Sequence, residues 1–254
     1  MDEAYRAYRS AAESPTIRSI WTAVYRDRLW EGGGPPLTLA TNDDVQFLTD
    51  RLDPKETSRM VDLGCGFGPL SRHLASIFGT DVVGIDANPL AIRLARECSR
   101  DQPYSSNLTF ETRDIAATGL PDNAFDGALS LDVLMFTKDK SSVLREAWRI
   151  LKPGARFSGT TWELRAPSVS LSAPAFEDYA GAFEAAGFTV EVYEETKAWR
   201  ALLEGILAGI LARDADIARE VLPARHEGMR NWARRRPSEL DDSRRTRFCV
   251  RKPH

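Results

Sequence analysis

The stretch Val61-Asp-Leu-Gly-Cys-Gly-Phe-Gly-Pro-Leu70 decides the fold. A short apolar run carries an acid, Asp62, near its end, and glycines then alternate at 64, 66 and 68 before a helix-like pattern opens at Pro69. Glycine tolerates positive φ and lets backbone approach a ligand closely, while proline suits the first turn of a helix, where its missing N–H costs nothing. The segment therefore reads as strand, tight glycine turn, helix, a docking edge of nucleotide size. The dinucleotide fingerprint Gly-x-Gly-x-x-Gly would need glycine or alanine at position 69, where proline stands.

Working outward, strand and helix signals alternate. Arg59 to Leu63 is the first predicted strand, followed by a helix from Pro69 to Phe78 with Leu70, Leu74, Ile77 and Phe78 on its inner side and Gly79 as its stop. Asp81 to Ile85 is a second strand closing on Asp86, and Asn88 caps a helix that Pro89 opens. Further strands are expected at Leu108 to Glu111, Phe125 to Leu131, Arg156 to Trp162, Phe188 to Tyr193 and Phe248 to Val250, with helices from Ser141 to Leu151 and from Pro174 to Ala186. Such alternation predicts an α/β fold with a doubly wound, seven-stranded, mostly parallel sheet. Trp199, Leu202, Leu203, Ile206, Leu207, Ile210 and Leu211 recur at helical spacing, with Ile217, Val221 and Leu222 in a second helix, so a helical cap is inserted between the last two strands. Before the core, Tyr8, Ile17, Ile20, Trp21, Val24 and Tyr25 predict amphipathic helices, Glu31 to Pro36 a loop, and Thr41 or Asn42 the cap of a helix to Leu52. The expected division is a helical lid over 1–56, a core over 57–196, the cap over 197–244 and a last core strand over 245–254.

Composition bounds the function. The chain has 254 residues, 43% of them hydrophobic, with 34 Lys and Arg against 37 Asp and Glu, a net charge of −3 that advertises neither nucleic acid nor an anionic membrane. Cys65, Cys98 and Cys249 are odd in number and show no metal-ligand spacing with the histidines, so no metal is expected and a reducing compartment is. No apolar signal core opens the chain and no run approaches ~20 apolar residues, which predicts a cytoplasmic protein. The basic run Arg225, Arg230, Arg234, Arg235 and Arg236 has Glu227, Glu239, Asp241 and Asp242 nearby and reads as a charge-paired, solvated face. The stripe from Leu202 to Leu211 reads as core or pocket wall, with a dimer interface as the other reading; monomer and homodimer both stay open.

Asp86 lies 22 residues beyond Gly64 at the end of the second strand, where a doubly wound sheet places an acid against vicinal ribose hydroxyls. With the glycine turn and its upstream acid, the chain resembles the class I, Rossmann-like S-adenosylmethionine-dependent methyltransferases, in particular bacterial enzymes acting on small molecules. Arg149-Ile-Leu-Lys-Pro-Gly154 is similar to that family's turn before strand five, and Asp114 matches its adenine-binding acid. The resemblance covers roughly 59 to 163. It implies S-adenosyl-L-methionine as cofactor, S-adenosyl-L-homocysteine as product, and cofactor contacts from Asp62, Gly64, Cys65, Gly66, Gly68, Asp86, Ala87, Asp114, Ile115, Leu131 and Tyr25. The Asn/Asp-Pro-Pro-aromatic segment of nucleic-acid amino methyltransferases is absent after Ser130, where Leu131-Asp-Val-Leu134 stands instead.

Methyl transfer from a sulfonium is an in-line displacement, so the expected task of the protein is to align the reactants in a dry site. Tyr25, Trp30, Trp162, Trp199 and Leu203 are the expected lining of a substrate pocket, and for the aromatic residues among them plain core packing is the competing reading. Asp132, Glu163 and His226 are the candidate general bases, against a cofactor-amine contact, a helix-start acid and a surface histidine respectively. The function so implied is methylation, at O, N or C, of an apolar or aromatic small metabolite of the natural-product kind. Aminopropyl transfer from the decarboxylated cofactor, which calls for an acid-rich pocket, and a non-catalytic nucleoside-binding regulator remain as alternatives.

Overall fold

The computed structural model describes residues 9–26 and 39–254. Residues 9–13 are helical, and the elements that follow are α1 (Pro15–Tyr25), α2 (Asn42–Leu52), β1 (Arg59–Leu63), α3 (Pro69–Phe78), β2 (Asp81–Asp86), α4 (Pro89–Ser99), β3 (Leu108–Thr112), β4 (Phe125–Leu131), α5 (Lys140–Ile150), β5 (Leu151–Leu164), α6 (Tyr179–Ala185), β6 (Thr189–Glu195), α7 (Trp199–Ala212), α8 (Asp214–Glu220), α9 (Pro223–Arg235) and β7 (Ser243–Arg251). The predicted loop from Glu31 to Pro36 and Trp30 lie outside the described residues.

The strands form one seven-stranded sheet in the order β3-β2-β1-β4-β5-β7-β6. β1 to β5 pair in parallel and β7 runs antiparallel to both of its neighbours. The strand order reverses between β1 and β4, and crevices at such switch points, beyond the carboxyl ends of the strands, are where open α/β sheets bind ligands. Asp62 and Leu63 of β1, Asp86 of β2, Thr112 of β3 and Leu131 of β4 stand along that edge.

Local chemistry sets the helix boundaries. α2 begins with a capping box in which Thr41 Oγ1 accepts from the Asp44 amide and the Asp44 carboxylate accepts from the Thr41 amide. α4 is capped by Asn88, whose side chain accepts from the Leu90 amide. α6 starts at Tyr179 and not at Pro174: Phe176 exchanges two backbone hydrogen bonds with Leu164, both 2.8 Å, and Asp178 then caps the helix through the Gly181 amide. Ile77, expected on the inner side of α3, is 64% exposed.

Two apolar clusters matter for the site. Val45 and Leu48 of α2 pack with Leu70 and Leu74 of α3 and with Met60, Val82 and Leu129 on the sheet. Ile17, Ile20, Trp21 and Tyr25 of α1 instead share a cluster with Trp162 of β5 and with α7, α8 and α9. Glycine permits this: a Cβ at Gly209 would come within 2.6 Å of Ile20, and one at Gly205 within 3.1 Å of Val24, so α1 rests directly on the backbone of α7. Glu220 of α8 closes the contact, accepting from Ser14 Oγ, the Thr16 amide and Thr16 Oγ1 at the amino end of α1, where the helix dipole favours a carboxylate. No helix among the described residues is long and apolar enough to cross a membrane.

Candidate functional site

The glycine turn is held from below and open above. The Gly64 and Cys65 amides both donate to Ile85 O, and the Gly66 amide donates to Asp86 Oδ2 at 2.9 Å. Gly64, Gly66 and Gly68 have φ of 81°, 57° and 75°, a region in which side chains are strained. Added side chains would meet different neighbours. A Cβ at Gly64 would lie 2.5 Å from the Val133 methyls and one at Gly68 2.6 Å from the Phe110 ring, whereas one at Gly66 meets none of the described residues within 4 Å. The turn thus presents bare backbone to open space at Gly66, a cradle suited to a ligand.

Asp86 borders that space. Its Oδ2 accepts from Gly66 and its Oδ1 from the Asn88 amide at 2.8 Å, so each oxygen keeps a lone pair for a further donor such as a ribose hydroxyl. Ala87 beside it is exposed and Leu131 is half-buried. Asp114 stands exposed beyond β3, with Oδ1 accepting from the Ala116 amide, while Ile115 is buried in the main core.

Cys65 and Asp62, both expected cofactor contacts, turn their side chains inward. The Cys65 thiol packs in a cluster with Ile92, Ala95 and Phe110, and burial pushes its pKa up, so only its backbone belongs to the turn. Asp62 is 3% exposed and accepts from Ser71 Oγ at 2.6 Å, tying β1 to the first turn of α3. Burial, only partly offset by that hydrogen bond, raises the Asp62 carboxyl from 3.8 to about 7. A folded-state value above the unfolded one means that the native protein holds a proton the unfolded chain has released. The stability from this group is full below about pH 4 and is lost as pH rises through about 7. Asp62→Asn should therefore flatten the fall in stability across that window, read by urea titration at several pH values; parallel profiles for the two proteins would contradict the assignment.

At the end of β4 the backbone of Asp132 adopts φ 54°, and its amide donates to Thr160 O at 3.0 Å. This turn delivers the carboxylate to Arg245 of β7, whose Nε and Nη2 donate to Oδ1 and Oδ2 at 3.0 and 3.1 Å. Arg245 Nη1 donates to Asp44 Oδ2 at 2.9 Å, and Nη2 also donates to Thr160 Oγ1. Both carboxylates hold the guanidinium against the penalty of full burial, and its pKa lies above the ordinary value. Asp132 is thereby a structural ligand of Arg245, which argues against its service as a general base. Tyr25 is buried in the α1 cluster, with its hydroxyl unbonded among the described residues and its phenol pKa raised by burial, although Arg245 opposes the rise.

Beyond Asp132 opens a chamber of about 420 Å³. Trp21 of α1, Met135, Trp162 of β5, Leu203 of α7, and Met229 and Trp232 of α9 are among the apolar residues of its wall. Phe136, 48% exposed, borders it. Trp162 and Leu203, expected in a substrate pocket, both line this chamber. Trp199 backs the wall: its ring meets Trp162 edge-on at 5.0 Å and its Nε1 donates to Glu195.

The other two candidate bases lie elsewhere. Glu163 alternates with Trp162 along β5 and so faces the opposite side of the sheet, where it accepts from Tyr193 Oη and pairs with Arg244. His226 Nε2 lies 2.7 Å from Asp214 Oδ1, joining α9 to α8. Sequence reasoning missed Arg245 because the last strand begins at Ser243, five residues before the predicted Phe248, which hides a central buried arginine. It also missed Arg236. That residue is 1% exposed and borders the chamber, contrary to a solvated basic face. The signal was present: Met229, Ala233 and Arg236 follow one another at four and three residues, one helix face on which the first two are apolar.

Residues 61–158 match a family described as a methyltransferase domain. The methyltransferase phqN of Penicillium fellutanum is 32% identical over 111 residues, 44% of this chain and 34% of that protein. Norajmaline N-methyltransferase of Rauvolfia serpentina is 27% identical over 168 residues, 61% of this chain and 58% of that one. The matched part thus spans between about a third and three-fifths of these two relatives. Among solved structures, the [4+2]-cyclase SpnF superimposes with a TM-score of 0.75 at 22% identity, covering 94% of this chain and 93% of that chain. At that identity the likeness shows the fold.

Proposed function

We propose that this chain, whose residues 61–158 match a methyltransferase domain, is a class I S-adenosylmethionine-dependent methyltransferase that transfers a methyl group to a small, apolar or aromatic acceptor held in the chamber beneath α1, α7 and α9. The observation that carries the reading is the contiguity of the two halves of the site. Gly64 packs on Val133, the residue next to Asp132, and Asp132 is already part of the chamber wall.

S-adenosyl-L-methionine fits the open half, and when bound it supplies a methyl group on a sulfonium. The Gly66 backbone, Asp86 and Asp114 would hold it, Asp86 through the lone pairs that Gly66 and Asn88 leave free. Val133 and the turned backbone of Asp132 separate the two halves. Trp21, Trp162 and Trp232 line the chamber and exclude water from it. Among the described residues around the chamber, Asp132 is the sole carboxylate and Arg245 occupies it, so the protein acts mainly by orientation and water exclusion, not by withdrawing a proton.

Calorimetric titration with S-adenosylhomocysteine tests this. One site per chain is expected, and Asp86→Ala should weaken it by about tenfold or more, the worth of hydrogen bonds to a charged group. Absence of binding at millimolar ligand, or equal affinity in the variant, would contradict the assignment.

A further inference from the structure

Arg236 begins the short 3-10 turn after α9 and is buried against the chamber. Its Nη1 donates to Ser243 Oγ at 2.9 Å and lies 3.4 Å from Glu239 Oε2, and its guanidinium carbon stands 5.0 Å from the centre of the Trp162 ring. Its Nη2 is buried and makes no hydrogen bond among the described residues. Glu239 does not supply the missing acceptor: its oxygens take the Ser170 amide and the Ser168 and Ser170 hydroxyls, and Arg236 meets it through Nη1 alone. A buried cationic N–H without a partner is costly, so a group entering the chamber that satisfied it would gain strongly.

The rest of the wall narrows the choice. Arg225 also borders the chamber, and Asp132, the carboxylate in its wall, is bound up with Arg245. Around them stand tryptophan, methionine and leucine side chains, which reward a flat apolar body. A phosphate dianion would need several donors where Arg236 has one unpartnered nitrogen, and a neutral carbonyl would make a weaker bond to it than a carboxylate does.

We propose that the methyl acceptor is an apolar, ring-bearing acid whose carboxylate is received by Nη2 of Arg236, with its ring system laid against Trp162 and Trp21. Arg236 is on this view a specificity-determining residue, and the proposal rests on the chamber being the acceptor site. Carboxylate recognition fixes one end of the acceptor and leaves the other end to meet the methyl donor.

The test uses the full chain saturated with S-adenosylhomocysteine and three probes of one shape, naphthoate, naphthamide and naphthyl phosphate, titrated by calorimetry. Naphthoate should bind about tenfold or more tightly than the amide, and Arg236→Gln should reduce that ratio to about twofold or less. Because Arg236 also packs within the cap, the wild-type ratio decides independently of how the variant folds. Equal binding of acid and amide, tighter binding of the phosphate, or no binding of any probe would each overturn the proposal while the cofactor site stood. Failure of S-adenosylhomocysteine itself to bind would instead remove the premise, and the proposal with it.

Discussion

Arg245→Met should cost the fold on the order of 3–5 kcal/mol, the usual cost of breaking a buried ion pair by removing one partner. Arg245 is 1% exposed and is the counter-charge of two acids, Asp132 at the end of β4 and Asp44 in the first turn of α2. Thr160 and Thr196 add hydroxyl acceptors, so five segments of chain meet at one guanidinium. Methionine fills much of the same volume and makes none of these bonds, leaving two carboxylates buried and mutually repelling. Adding Asp132→Asn to the variant should recover part of the loss, because only one uncompensated acid then remains, and the coupling would appear as non-additivity in a double-mutant cycle. Urea unfolding measures all three. A loss below about 1 kcal/mol, the range of an exposed pair, would mean that water reaches the triad and that it does not lock α2 to the sheet.

Gly64→Ala and Gly66→Ala should separate folding from binding. Both positions have positive φ, so both alanines carry a backbone cost of about 1–3 kcal/mol. At Gly64 the new methyl also collides with Val133, adding an overpacking cost of about 1–3 kcal/mol. That variant should lose both stability and affinity for S-adenosylhomocysteine, and Val133→Ala should restore part of each. At Gly66 the new methyl enters the open space where the ligand would lie, so stability falls only by the backbone cost while affinity drops by a hundredfold or more, about 3 kcal/mol. If Gly66→Ala bound the ligand as well as the wild type does, the space above the turn would not be the cofactor site.

Much of this architecture is legible in the sequence because local chemistry dictates it. Gly79 stops α3, Asn88 and Pro89 start α4, and Phe125 to Leu131 is a strand in both the pattern and the structure. The start of α6 was not legible, since a proline fit for a first turn at 174 lost to a pair of backbone hydrogen bonds between Leu164 and Phe176. Charged residues were hardest to place. A lone Arg245 or Arg236 looks like any surface arginine until distant acids, or an aromatic ring such as Trp162, are brought to it by the fold. The same applies to Glu163 and His226: both occupy plausible positions in the chain, and both are spent on Tyr193, Arg244 and Asp214, away from the chamber.

The fold by itself does not fix the chemistry, as its likeness to a [4+2]-cyclase makes plain. What distinguishes a methyltransferase is where the reactive end of the donor points. The decisive measurement is a crystal structure of the full chain with S-adenosylhomocysteine. The account predicts the ribose on Asp86, the backbone of Gly66 beneath the ligand, and the sulfur facing past Asp132 into the chamber walled by Trp21, Trp162 and Met229. A sulfur turned to solvent, or a ligand seated away from the glycine turn, would contradict it.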